Sequence, residues 1–202
     1  MRLYVFRHGQ TDWNADGRIQ GHLDIPLNDR GREQARALIE PLRALGIQAI
    51  LSSDLSRALE TAMIVASALR IPVTQDQGIR EVHLGKLQGL DREEIQRLYG
   101  KDFSAQIGRM PISDADIVNL GAESGEQVVA RISQAIQTFA VKHPGLERIG
   151  VASHGGVIRR MIQLAPVSHG FPPPIANGVI YPFDCAPPDY IGQPAGWVPF
   201  SR

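Results

Sequence analysis

The stretch that most constrains this chain is its opening, MRLYVFRHGQTDWN. Residues 2 to 6, RLYVF, are continuously apolar in character rather than alternating. That is the pattern of a strand covered on both faces, and such strands belong to mostly parallel sheets flanked by helices. The run ends abruptly in Arg7, His8 and Gly9. A second apolar run, RIGVAS, ends the same way in His154 and Gly155. In open α/β sheets ligands bind just beyond the carboxyl ends of the strands, so His8 and His154 are predicted to lie side by side although they are distant in sequence. IQAILSS, from Ile47, reads as a third short buried strand.

Helical patterns fill the intervals. From Asn28, an N-cap residue, Ala35, Leu38, Ile39, Leu42 and Leu45 recur at helical spacing up to Gly46, with a kink expected at Pro41. A second stripe, Leu59, Ala62, Met63, Ala66 and Leu69, begins near Asp54. Asp91 and Glu94 form a capping-box pattern ahead of Ile95, Leu98 and Tyr99. Val128, Val129, Ile132, Ile136 and Phe139 predict a long amphipathic helix over about 123–142, stopped by His143-Pro144-Gly145. After His154 comes a helix carrying Val157, Ile158, Met161 and Ile162. Strands alternating with helices predict an α/β fold, a three-layer α/β/α sandwich around a mostly parallel sheet. The 202 residues, 43% of them hydrophobic, suffice for one core, so a single domain spans the chain. Periodicity fails over 100–122, and nine of the 14 prolines follow residue 165. The tail 166–202 is therefore expected to be irregular, with an edge strand near GVIYPF that could pair with a second copy as a homodimer.

Charge narrows the function. Lys plus Arg, 21, equals Asp plus Glu, 21, so no overall basic field holds nucleic acid or an anionic membrane. An anion must be held locally. The one cysteine, Cys185, excludes an internal disulfide, and no apolar run approaches the ~20 residues of a bilayer span. The opening residues do not read as a secretion signal, and a soluble cytoplasmic protein is expected. The six histidines lack ligand spacing, so neither metal nor cofactor is expected. Ser153 stands in VASHG rather than in a G-x-S-x-G elbow, and no P-loop is present.

Two arginines accompany the histidines. Arg7 precedes His8, and Arg57 falls in the first turn of the helix after IQAILSS, at the same end of the sheet. An ordinary alternative for Arg57 is a surface pair with Glu60, contributing roughly 0.3–0.5 kcal/mol. Two guanidiniums converging with two imidazoles would repel one another without an anion, and the planar guanidinium fork suits the oxygens of phosphate. Nucleophilic histidine is then the economical chemistry.

The blocks FRHGQTDWN, SSDLSRALETA, REVHLGKLQG, GAESGEQVVAR and VASHGG resemble, in order and spacing, the histidine phosphatase superfamily, also called the phosphoglycerate mutase-like family, over roughly residues 1–165. The resemblance implies a phosphoryl pocket built from Arg7, His8, Arg57 and His154, with Asn14, Gln20, Gly21 and Gly155 lining it. His8 would become phosphohistidine, its other ring N–H tied to a backbone carbonyl. Glu81 matches the family's acid, which protonates the leaving oxygen and later activates water. The implied activity is a metal-independent, histidine acid phosphatase-like hydrolysis of a small phosphorylated metabolite. Phosphosugars, phosphoglycerates, α-ribazole phosphate and nucleotide monoesters are all candidates.

Departures from the family pattern sharpen this. Cofactor-dependent mutases carry a tyrosine three residues after the acid and an arginine pair in an insertion, whereas this chain has Leu84 there and no arginine pair between 100 and 122. Hydrolysis is favoured over mutase-type transfer. A non-catalytic phospho-ligand module is disfavoured because His8, Arg57, Glu81 and His154 are all present. Leu87 and Gln88 stand where many relatives carry Trp-Glu, which loosens the subfamily assignment. The stretch 100–122 is expected to cap the pocket, with Phe103, Ile107, Arg109 and Met110 selecting the leaving group. Trp13 and Tyr99 are expected to pack, Arg159 and Arg160 to form the solvated face of the last helix, and His22 and His83 to lie at the surface or support the site.

Overall fold

A computed structural model describes residues 1–107, 119–164, 175–185 and 197–199. Six strands form one sheet: β1 (Arg2–Arg7), β2 (Ala49–Ser52), β3 (Val73–Gln75), β4 (Arg148–Ser153), β5 (Ile180–Cys185) and β6 (Trp197–Pro199), in the order β3-β2-β4-β1-β5-β6. The first four are mutually parallel where they pair, and β5 and β6 are antiparallel. The unbroken apolar run of β1 has a simple cause. Leu3 and Val5 enter a core shared with Val128, Ile132 and Val157, while Tyr4 and Phe6 enter another with Leu38, Leu42 and Ala62. Both faces are interior, so nothing along the strand needs to be polar.

The helices are α1 (Asp12–Ala15), α2 (Asp29–Ala37), α3 (Ile39–Ala44), α4 (Ser56–Leu69), α5 (Arg92–Tyr99), α6 (Lys101–Ile107), α7 (Gly125–Lys142) and α8 (Gly155–Leu164). α2, α3 and α4 cover one face of the sheet, α7 and α8 the other. The predicted helix from Asn28 breaks at Leu38 into α2 and α3, because Pro41 has no N–H to give the Ala37 carbonyl. Asn28 caps α2, its side chain accepting from the Gly31 N–H at 2.9 Å. The Asp91–Glu94 box forms as expected, and Ser124 with Gln127 makes a second one at the start of α7.

Four expectations change. α4 begins at Ser56, and its buried face is Arg57, Ala58, Thr61, Ala62, Val65 and Ala66; Met63 is 52% exposed. The helix is rotated so that two polar residues point at the strand tips, which an apolar stripe cannot reveal. β3 forms where no strand is expected, since three residues, two half-buried and one exposed, carry no apolar signal. GVIYPF is not the sheet's edge: β6 pairs with Phe183–Cys185 on its outer side. Residues 101–107 are helical, and Phe103 packs on Tyr99, with ring centroids 5.4 Å apart, in a small cluster with Leu87 and Ile95 rather than in a pocket wall. Arg109, Met110 and the Ile107 side chain lie outside what is described.

Candidate active site

The β1/β4 register sets Arg7 opposite Ser153, and the His8 N–H donates to the Ser153 carbonyl at 3.0 Å. The next residue on each strand is therefore a histidine in the same place. The rings of His8 and His154 have centroids 5.1 Å apart, and both residues are buried. His8 Nδ1 lies 2.6 Å from the Gly9 carbonyl oxygen, which can only accept, so Nδ1 carries the proton and Nε2 keeps its lone pair. The turn after His8 is pinned as well. Gly9 N–H donates to Thr61 Oγ1 at 3.1 Å, and Asn177 Nδ2 donates to the His8 carbonyl at 2.7 Å. Gly9 tolerates no side chain, since a Cβ there would stand 2.2 Å from the Gly31 carbonyl oxygen.

Arg57 is fully buried and does not pair with Glu60, whose carboxylate takes Arg32 at 2.6 Å instead. Its Nη1 donates to the Leu23 carbonyl at 2.9 Å and its Nη2 to the Gly21 carbonyl at 2.8 Å. Arg7 Nη1 donates to the Ile175 carbonyl at 2.6 Å. These bonds hold each fork while leaving Nε of Arg7, Nε of Arg57 and both ring nitrogens of His154 buried without a protein partner among the described residues. Buried N–H donors of this kind, one at each arginine Nε and one on the His154 ring, cost about 1–3 kcal/mol each unless something accepts from them. They converge on one place, and an anion is what suits them.

Electrostatics decides the protonation states. Burial, then the charges of Arg7 and Arg57, push the His8 pKa well below its ordinary 6.5. Burial, then Arg57, His8 and Arg7, do the same to His154. Burial pushes the Arg57 guanidinium down to about 10, with Glu81 and Asp24 opposing, so it stays charged at neutral pH. The repulsion anticipated among four cations is thus relieved by two neutral rings beside two cations.

Glu81 forms the facing wall. Its Oε2 accepts from the Gly156 N–H at 3.1 Å and its Oε1 from the Val82 N–H at 2.9 Å. Gly156 permits this approach, because a Cβ there would lie 2.4 Å from Glu81 Oε1. Together these groups line a pocket of about 300 Å³. Arg7, His8, Asn14, Gln20, Gly21, Arg57, Glu81 and Gly155 all line it, with His154 against His8. The Asn14 side-chain oxygen also accepts from the Thr11 N–H at 3.2 Å in a capping box. Leu84 and Leu87 supply apolar wall.

One placement corrects the sequence reading. Arg159 and Arg160 are not a solvated face but line the pocket, because α8 starts at the strand tips and turns Val157, Ile158 and Met161 into the core. His22 falls within its expectation of supporting the site: it is half-buried, with Nε2 donating to the Glu81 carbonyl at 2.6 Å. Sequence reasoning missed Thr61, Arg131 and Asn177. All three act through bonds to the backbone of remote segments, which leave no periodic trace. Among the described residues no group of His, Cys, Asp and Glu could hold a metal ion, and no described helix is long and apolar enough to cross a membrane.

Known proteins resemble the chain closely. Phosphoglycerate mutase-like protein 4 of Arabidopsis thaliana is 42% identical over 165 residues, covering 81% of this chain and 70% of that protein. The metal-independent phosphoserine phosphatase of the same plant is 39% identical over 163 residues, covering 78% of this chain and 65% of that protein. The chain thus spans about two thirds of the length of either relative. The structure of a mycobacterial glucosyl-3-phosphoglycerate phosphatase complexed with VO3 superposes with a TM-score of 0.77 at 28% identity, covering 98% of this chain and 96% of the other. A family model described as histidine phosphatase superfamily (branch 1) matches residues 3–185, nearly the whole span that forms the sheet and the pocket. Strand order, pocket and sequence agree, and the chain belongs to the histidine phosphatase superfamily, branch 1.

Proposed function

We propose that the chain hydrolyses a small phosphomonoester through a phosphohistidine on His8, without a metal ion. The observation that carries this is the His8 ring, held with Nδ1–H on the Gly9 carbonyl at 2.6 Å beside two buried guanidiniums and a second neutral imidazole. His8 Nε2 attacks phosphorus while the bond from phosphorus to the leaving oxygen breaks, and a protonated Glu81 carboxyl gives that oxygen its proton. Water then attacks the phosphohistidine, Glu81 takes a proton from it, and the P–N bond breaks to release phosphate. Arg7 and Arg57 neutralise the transferring oxygens throughout while the His154 ring N–H donates to them, and removing one such group typically costs ~10²–10³-fold. Depressed basicity keeps His8 nucleophilic as pH falls, which supports an acid phosphatase-like profile.

Two features bear on the substrate. Leu84 lines the pocket where transfer to a second hydroxyl would want a polar contact, which supports water as the acceptor. Arg159 and Arg160 extend positive charge along the wall beyond the phosphate-binding groups, which suits a metabolite with a second anionic group. The relatives named for phosphoserine and glucosyl-3-phosphoglycerate act on substrates of that kind.

The test is phosphate release from a phosphomonoester panel with EDTA present. Substrates with and without a carboxylate are compared, and His8→Ala is the control. Turnover that requires added metal, or that survives His8→Ala, overturns the reading. Phosphoryl transfer to a hydroxyl acceptor in preference to water points to the mutase reading instead.

A further inference from the structure

The segment that carries Glu81 is held in an unusual way. Residues 78 to 81 run out of a short 3-10 turn, Gln77–Ile79, and belong to no strand. Their four successive carbonyls are all taken by side chains from elsewhere. Arg131 on α7 donates from Nη1 to the Gly78 carbonyl at 2.8 Å and to the Arg80 carbonyl at 2.7 Å, and from Nη2 to the Glu81 carbonyl at 2.9 Å. Ser153 Oγ donates to the Ile79 carbonyl at 3.1 Å. His22 Nε2 adds a second bond to the Glu81 carbonyl at 2.6 Å.

Arg131 is itself fixed. Its Nε and Nη2 form a fork on Glu123, at 2.8 and 2.9 Å, and Glu123 Oε2 also accepts from the His83 N–H at 2.7 Å. Burial pushes the Glu123 carboxyl up, but hydrogen bonds from Arg131 and the His83 amide, with the charges of Arg131 and His22, outweigh it and hold it below the ordinary carboxylate range. Five bonds leave this one partly buried guanidinium, three of them to carbonyls of a single strandless segment of four residues. A planar five-donor fork is also the group that can span three carbonyls while pairing with a carboxylate.

We infer that Arg131, oriented by Glu123, is a positioning residue for proton transfer by Glu81: it fixes the backbone from which the carboxyl reaches the leaving oxygen. The inference rests on the reading of Glu81 as proton donor. Misplacing a donor by about 1 Å costs on the order of 10²-fold where the proton is needed and little where it is not. The phosphate floor, built on β1, β4 and α4, does not depend on Arg131.

A leaving-group comparison separates this role from a merely structural one. Transfer of phosphoryl to His8 is followed by rapid quench in single turnovers, from 2,4-dinitrophenyl phosphate, whose phenolate departs without a proton, and from phosphoserine, whose alkoxide needs one. In Arg131→Lys, transfer from phosphoserine should slow at least about tenfold while transfer from the dinitrophenyl ester changes less than about twofold. Vanadate inhibition should be unchanged. Glu123→Gln should show the same selectivity at smaller size. Equal slowing with both esters, or none with either, overturns the inference. Should Arg131→Lys fail to fold, Glu123→Gln decides by the same criterion. Glu81→Gln tells the two failures apart: if it lacks the leaving-group selectivity, the reading of Glu81 falls, and if it shows it while Arg131→Lys and Glu123→Gln do not, only the positioning role falls.

Discussion

His8 and Glu81 face each other across one pocket, yet different kinds of bond put them there. His8 sits at the end of β1, where the parallel ladder to β4 places Arg7 opposite Ser153 and continues to the His8 N–H. Glu81 has no ladder behind it. Its segment hangs on Arg131, Ser153 and His22. A ladder is cooperative and tolerates the loss of any one side chain, because neighbouring strands hold it. A side-chain clamp is only as good as its members. The floor should therefore fail only when the group that touches phosphate is removed, whereas the wall can be disabled from residues that never meet the substrate.

The largest effect tests the floor. His8→Ala should lower kcat for every substrate by roughly 10⁴–10⁶-fold, as for other covalent catalysts stripped of their nucleophile. No acid-labile phosphoprotein should be trapped. Since the ladder is unaffected, the melting temperature should stay close to that of the parent protein. A variant that keeps even a hundredth of the activity would mean that the strand tip is not where the phosphoryl group lands.

Next comes Arg57→Met. Its guanidinium is fully buried in the floor, with Glu81 and Asp24 acting on it through their charge. Loss of about 10³-fold in kcat/KM is expected for all phosphomonoesters alike, together with weakened inhibition by vanadate. Uniformity across leaving groups is the signature of the floor, just as selectivity is the signature of the wall.

Gly156→Ala attacks the wall from its other side. The new Cβ would meet Glu81 Oε1 at 2.4 Å, so either the carboxyl or α8 must move. About a tenfold to hundredfold loss with alkyl phosphates and a smaller one with aryl phosphates is expected, measured as kcat over a leaving-group series. An equal loss across the series would show that the helix moved rather than the acid.

The same contrast explains what could be read from the residues alone. Both strand tips, with Arg7, His8 and His154, were legible because a buried parallel strand leaves an unbroken apolar run and its end is where ligands bind. Arg57 was legible as a charge near the sheet's end. The phase of α4 was not, because Arg57 and Thr61 occupy its buried face and break the apolar stripe that would reveal it. Arg131 stands at the end of the block GAESGEQVVAR but with no role legible there, and Asn177 left no trace, since a bond from a side chain to a carbonyl fifty or more residues away has no spacing to detect. Glu81 was recognisable only through the family blocks, as a carboxyl on an irregular segment looks like any other. Arg159 and Arg160 were misread because a charge run on a helix is usually solvated, and only the start of α8 at the strand tips turns them to the pocket.

The smallest effect concerns stability, and it too divides floor from wall. His8 and His154 titrate near 6.5 when unfolded and well below that when folded, chiefly through burial and then through the neighbouring arginines. Below pH 6.5 the unfolded chain thus binds more protons than the folded one. The stability these rings contribute is present above 6.5 and is lost as pH falls, at up to about 1.4 kcal/mol per pH unit for each ring. His22, also lowered by burial, adds to the slope with the same sign. Asp54, Asp91 and Glu123 are lowered from the carboxylate range and act at more acid pH, so the interval from 6.5 to 5 belongs to the histidines. Thermal melts over that interval should show the melting temperature falling in the free protein and the slope shrinking in His154→Gln. Bound vanadate, an anion among the arginines, favours protonated rings and should flatten the slope further. A free protein whose stability is level from pH 7 to 5 would mean that the two rings are not desolvated, and that His8 stands in water rather than on a dry floor.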